Sequence, residues 1–428
     1  MINFRKFTIN PVEKPFMQRL QQLTEWLHSQ FPNETFTLAP ASADASFRRY
    51  FRATYSDRTL IVMDAPPQQE DCRPFLHIAR LFEEAGTHVP HVYAQDLQQG
   101  FLLLSDLGST TYLQALCGGV AAQQRCTHRP PPCGEDAGTA RELYGAATDA
   151  LIKIQLASRE NELPPYDKAL LLREMRLFPE WYIAKHLNIT LTGKQHAKLE
   201  EVFARIIANN LAQPRVYVHR DYHSRNLMYI EPPLLNPLPL PSPQSSDGTT
   251  SHSTRPSKDN GQVAGYPASG RGSKRNHQLL IPAGEEAKEK TNFLISPGIL
   301  DFQDAVYGPI TYDLASLFKD AYIKWEEAEI IDWLIRYWEK ARKAGLPVAE
   351  DFSVFYRDYE WMGVQRHIKV LGIFARLYHR DGKDGYLKDL PLVMAYLRAA
   401  CTRYIDLKPL LNLLDELEPH AAQTGYTF

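Results

Sequence analysis

At 428 residues, with 44% hydrophobic and 23% charged side chains, the chain has material for a sizeable buried core and is long for one domain, so two lobes are expected. A formal net charge of −2 and the lack of any lysine–arginine run argue against a nucleic-acid groove. Residues 1–6 carry no apolar leader, no segment reaches the ~18 apolar residues that cross a bilayer, and five cysteines fit a reducing compartment, so a cytoplasmic protein without a membrane partner is expected.

Residues 16–27 set Phe16, Leu20, Leu23 and Leu27 at helical spacing, which predicts an opening amphipathic helix. Short β-rich runs follow at 36–38, 47–54 and 60–63, and the small residues Ala41-Ser42-Ala43-Asp44-Ala45-Ser46 separate the first two. On residue types alone that separator is a polar hairpin turn. Residues 71–85 read as a helix with Phe75, Ile78, Ala79 and Phe82 on one face, and 91–94 and 101–104 as strands leading into Ser105-Asp106-Leu107-Gly108, a turn ahead of a helix. Residues 117–140 read as an inserted loop. Cys117, Cys126 and Cys133 with His128 invite a zinc reading, but no Cys-x-x-Cys pair is present and a variable loop is the plainer account. Helices resume at 141–158 and 192–210.

The run Val216-Tyr217-Val218 then ends in a polar loop, His219-Arg220-Asp221-Tyr222-His223-Ser224-Arg225-Asn226, before Leu227-Met228-Tyr229-Ile230 resumes an apolar course. A later apolar run, Gly298-Ile299-Leu300, ends at Asp301. Asp221, Asn226 and Asp301 together make one potential base and two hard oxygen ligands, a set suited to phosphoryl transfer with magnesium bridging nucleotide phosphates. Residues 231–292, between these runs, hold nine of the 30 prolines and a single aromatic, Tyr266; this composition predicts a disordered insertion. From Tyr312 onward the sequence is helical. Ile330, Ile331, Leu334, Ile335 and Trp338 form one stripe, Phe355, Tyr359, Met362 and Arg366 another, and 390–404 and 407–417 complete it. Arg366, His367 and Lys369 fit a solvated helix face on residue types alone.

His219-Arg220-Asp221 with Asn226 five residues beyond the Asp resembles the catalytic loop of the protein-kinase superfamily. Gln303 stands where a protein kinase has the Gly of Asp-Phe-Gly. With Gly308-Pro309 and Tyr312-Asp313-Leu314-Ala315, the chain is similar to the aminoglycoside and choline phosphotransferase branch. Residues 45–52, 61–67, 101–108 and 298–320 carry a nearer resemblance to bacterial anomeric kinases of N-acetylmuramate and N-acetylglucosamine, which serve cell-wall (peptidoglycan) sugar recycling.

The resemblance implies an α+β, bilobal, kinase-like fold, with a small β-rich N-lobe (1–106) over the nucleotide and a larger, mainly helical C-lobe (107–428). It implies ATP with Mg2+, an amino-sugar acceptor, Asp221 as catalytic base, and Asn226 and Asp301 as metal ligands. His219 and Asp313 are expected to brace the loop. Ser46 belongs to the turn that would cover the phosphates, Asp106 and Gly108 to the adenine hinge, and Arg366, His367 and Lys369 to the region facing the acceptor. One departure matters. The strand position where kinases carry a phosphate-binding lysine corresponds to Met63, and no lysine occurs between Pro15 and Ile152. Arg48, Arg49 or Arg52 is expected to replace it. Rival readings are a kinase of another small alcohol (aminoglycoside, choline, homoserine) and, because of the missing lysine, a non-catalytic nucleotide-binding module.

Overall fold

Period-2 patterning sorts the N-terminal strands onto two faces of one sheet. The computed structural model describes residues 13–42, 48–117, 135–230 and 296–418. Ser46, the group Cys126, His128 and Cys133, and all of 231–292 lie outside them. Helix α1 (Glu13–Gln30) leads into β1 (Thr37–Ser42), β2 (Arg49–Thr54), β3 (Thr59–Asp64), helix α2 (Arg73–Glu84), β4 (Val92–Asp96) and β5 (Phe101–Ser105). The strands form one antiparallel sheet in the order β1-β2-β3-β5-β4. In register, Phe51, Val62 and Leu103 line up on one face, where Leu23, Trp26 and Leu27 of α1 bury them. Tyr50, Met63 and Leu102 line up on the other, which joins the main core with Phe75, Ile78 and Phe82 of α2. The apolar run of β5 is buried on both sides, as a central strand requires.

The remainder is mostly helical: α3 (Tyr112–Leu116), α4 (Glu135–Leu156), α5 (Lys168–Leu177), a π-helical continuation (Phe178–His186) and α6 (Gly193–Leu211). Thr192 and Gln195 cap the start of α6 reciprocally. Helix α4 begins at Glu135, inside the stretch read as an inserted loop, and buried Ala140 continues the stripe of Leu143 and Ala147 toward its start.

Two small ladders follow, β6 (Arg215–Val218) with β9 (Val306–Pro309) and β7 (Leu227–Met228) with β8 (Gly298–Ile299). The chain ends in α7 (Tyr312–Phe318), α8 (Glu327–Lys343), α9 (Phe352–Asp381), α10 (Leu390–Arg403) and α11 (Lys408–Leu417). Helix α9 runs through the middle of this part and is buried on nearly every side from Tyr359 to Ala375. Gly372 lets it touch the end of α5, since a Cβ there would meet the Leu177 carbonyl carbon at 2.4 Å. The fold is thus α+β, a five-stranded antiparallel sheet followed by a mostly helical body. Among the described residues, no helix is long and apolar enough to cross a membrane.

Candidate active site

Strand β6 delivers the chain to a loop whose backbone is tied down at each step. Asp313, in the first turn of α7, accepts the backbone N–H groups of His219 (2.7 Å) and Arg220 (3.0 Å). Arg220 sits at φ +77°, and this left-handed kink ends the strand. The His219 ring spans two segments: Nε2 donates to the Leu300 carbonyl (2.9 Å) and Nδ1 accepts from the Asp221 amide (3.2 Å). That pattern needs the neutral imidazole, and burial pushes its pKa down to about 4. Further along, the Ser224 amide donates to Asp320 (3.0 Å) and Tyr222 Oη to the Ala147 carbonyl (2.8 Å).

The loop closes on the segment that carries Asp301. Asn226 Nδ2 donates to the Asp221 carbonyl (2.9 Å), and the Leu300 amide donates to the Asn226 carbonyl (2.9 Å). Leu227 pairs with Ile299, so the β7–β8 ladder holds Asn226 and Asp301 at its flanks. Asp301 is exposed, lies at φ +61° and accepts Gln303 Nε2 at Oδ1 (2.7 Å). Phe302 behind it is buried between Phe75 and Phe82 (ring centroids 4.8 and 5.9 Å away). Asn226 spends its amide nitrogen inside the loop, which leaves its Oδ1 as the donor for a cation. With the Asp301 carboxylate this supplies two hard oxygens, fewer than a closed protein cage but suited to an ion that also takes phosphate oxygens and water.

Asp221 is only partly exposed and would be raised by burial alone. The charges of Lys369, Arg366 and Arg220 outweigh that and hold its carboxylate well below the usual range. These cations are themselves fixed. Lys369 Nζ lies 3.2 Å from Glu174 and donates to Tyr312 Oη (3.0 Å), Arg220 pairs with the same Glu174, and Arg366 donates to Ser316 Oγ (2.7 Å). Glu174, on α5, also accepts from Tyr166 and Gln365.

The profile of the phosphotransferase enzyme family matches residues 37–234 and 291–352. The chain belongs to that family. It is 43% identical over 414 residues to the N-acetylmuramate/N-acetylglucosamine kinase of Neisseria meningitidis serogroup B, covering 96% of this chain and 100% of that one. It is 41% identical to the protein of the same name from Pseudomonas aeruginosa, over 95% and 98% of the two chains. A solved choline/ethanolamine kinase family protein from Mesorhizobium loti superposes with a TM-score of 0.51 at 11% identity, covering 93% and 99%, and shares the fold.

In this phosphotransferase, the residues read from sequence fall into distinct places. Arg366 and Lys369, three apart on α9, both act on Asp221, whereas His367 points elsewhere, toward the Lys319 carbonyl (3.5 Å) and the Tyr396 ring (5.3 Å). The solvated-face alternative for these three is corrected: all are buried, because α9 is packed on every side there. Arg52 makes a bidentate pair with Asp106 (2.6 and 3.0 Å) and donates to the Gly108 carbonyl (2.9 Å), and the Gly108 amide returns to Asp106. Gly108 lies at φ +89°, a conformation that favours glycine. Arg49 pairs with buried Asp64, which Arg19 of α1 also holds (2.8 Å), and both lie on the α1 face of the sheet. Arg48 reaches Glu70 (3.4 Å). Met63 is fully buried. Sequence reasoning missed Glu174 and Asp320, which touch the loop only through the fold; the resemblance over 298–320 was the one signal for Asp320.

Proposed function

We propose that the chain transfers the γ-phosphate of ATP to the anomeric (C1) hydroxyl of N-acetylmuramate or N-acetylglucosamine. The observation that carries this reading is near-full-length similarity to two kinases named for those sugars, joined to a loop in which Asp221, Asn226 and Asp301 are brought together. The acceptor oxygen forms a bond to the γ-phosphorus as the bond to the β,γ-bridging oxygen breaks. The hydroxyl proton passes to Asp221 and ADP leaves. A carboxylate held so low is a weak base, but it suffices: in a loose transition state the hydroxyl becomes acidic as its bond to phosphorus forms. Before that, Asp221 orients the hydroxyl by accepting its hydrogen bond.

Asn226 Oδ1 and Asp301 would hold magnesium, which when bound offsets charge on the phosphate oxygens. Asp106 and Gly108 form the hinge between a nucleotide-covering lobe, 1–106, and an acceptor lobe, 107–428. Among the three arginines, Arg48 best fits the place of the strand lysine. Arg49 is committed to the α1 face and Arg52 is locked by three hydrogen bonds, whereas the ion pair of Arg48 to Glu70, at 3.4 Å, is longer than those of Arg49 to Asp64 and Arg52 to Asp106. Buried Arg366 and Lys369 act on the acceptor's side through Asp221.

The test is the product. With carbon-13-labelled sugar, phosphorus–carbon coupling should place the new phosphate on C1. Phosphate on C6, or turnover of aminoglycosides alone, overturns the assignment.

A further inference from the structure

The lysine and arginines that act on Asp221 are neutralised or anchored, whereas Arg225 of the same loop is held differently. Arg220 and Lys369 share Glu174, and Arg366 is bonded to Ser316. Arg225, one residue before Asn226, makes no hydrogen bond or ion pair among the described residues. It is nevertheless held in place. Its guanidinium carbon lies 3.5 Å from the centroid of the Tyr322 ring and 6.0 Å from that of Tyr386. Tyr322 is fixed in turn: its amide donates to Asp320 (3.1 Å), which also takes the Ser224 amide, and its ring meets His223 edge-on at 5.4 Å. A guanidinium stacked on an aromatic face keeps its in-plane N–H groups for another partner, and those groups match a carboxylate with two parallel hydrogen bonds.

The position chooses between anions. Arg225 leans on Tyr322 and Tyr386, in the C-terminal helical part that also supplies Arg366 and Lys369 to Asp221. Neither ring belongs to the segment after β8 or to β2 and the residue before it, where Asp301, Arg52 and Arg48 lie. That places Arg225 with the acceptor's elements, beside His223, which lies within electrostatic reach of both Asp221 and Arg225. The two acceptors under the proposed reading, on which this inference rests, differ by one group. N-acetylmuramate carries a lactyl ether at C3, two ring carbons from C1, and that ether ends in a carboxylate; N-acetylglucosamine has a plain hydroxyl there.

We propose that Arg225 binds the lactyl carboxylate of N-acetylmuramate and so sets the preference between the two sugars. N-acetylglucosamine leaves the guanidinium to water and relies on the rest of the site. Steady-state kinetics on the full chain test this, with both sugars and with the methyl ester of N-acetylmuramate. Arg225→Gln should raise KM for N-acetylmuramate about 10- to 100-fold, the worth of a charge-assisted bidentate pair, with kcat nearly unchanged. Its parameters for N-acetylglucosamine should stay within about twofold, and Arg225→Lys, which keeps the charge but loses the fork, should fall between. The methyl ester should be indifferent to the substitution. Equal losses on both sugars would assign Arg225 to the nucleotide or the fold, and an unchanged KM for N-acetylmuramate would remove it from recognition; either result overturns the inference. Turnover of neither sugar by the native chain overturns the functional reading itself, and the inference falls with it.

Discussion

The proposed reading gives Asp221 and Asp301 different work, and their surroundings differ. Asp221 is half-buried among cations that keep it ionised, whereas Asp301 is exposed at the end of a two-residue ladder with one oxygen engaged by Gln303. Asp221→Asn keeps the shape and removes the base. It should leave magnesium–nucleotide affinity nearly intact and lower kcat by roughly 10²–10⁴-fold. Asp301→Asn removes the charge that a hard dication favours, so nucleotide binding should weaken and the magnesium requirement rise. Magnesium titrations with bound nucleotide measured directly separate the two, and a reversed pattern would reverse the roles. Both carboxylates were legible in the sequence because their signal is local: spacing within one loop, and an apolar run ending at an acid. Glu174 was not. It lies 46 residues before Arg220 in an ordinary charged helix, and only the packing of α5 against α9 brings it to Arg220 and Lys369.

Elements were legible where period and turn chemistry agreed. The stripe on α2, the helix at 192–210 and the helices after Tyr312 were all readable, and their ends shifted by a few residues. Burial was harder to read. The polar residues Arg366, His367 and Lys369 look like a solvated face, yet α9 is enclosed, and a carboxylate from another helix is what makes the enclosure tolerable. Glu174→Gln therefore tests how α5 and α9 are joined. It removes the ion-pair partner that Lys369 and Arg220 share and should destabilise the protein by about 3 kcal/mol, read as a lowered urea midpoint. A loss no larger than that of Asp221→Asn would mean that the network contributes little. The sheet allows a parallel test. Arg48→Ala should weaken nucleotide binding about tenfold with little change in the urea midpoint, whereas Arg52→Ala leaves Asp106 unpaired and should lower the midpoint. Unchanged nucleotide affinity in Arg48→Ala would send the search for the lysine's replacement elsewhere.

At the scale of the whole molecule, the enclosed site makes stability depend on pH. Burial lowers the pKa of His219 from 6.5 to about 4; it also depresses His223, with Arg366 adding, and His367, with Lys319 and Arg366 adding. A histidine that the fold keeps neutral gains a proton only on unfolding. Below pH 6.5 the unfolded chain therefore binds more protons than the folded one, and stability falls as pH drops from 6.5 toward 4. For His219 alone that window is worth about 3 kcal/mol. Asp313 acts in the opposite sense. Burial pushes its carboxyl up to about 7 against the pull of two backbone donors, so as pH falls from 7 the folded state gains a proton first and is stabilised. Among the described residues five depressed histidines, His88 and His186 included, outnumber the raised carboxyls of Asp313 and Asp358, so the urea midpoint should be lower at pH 5 than at pH 7.5. His219→Gln, neutral at every pH, should be less stable at pH 7.5 yet show a flatter decline between 6.5 and 4, by about one proton's worth of slope. An equally steep decline in that variant would show that His219 does not carry this part of the acid sensitivity.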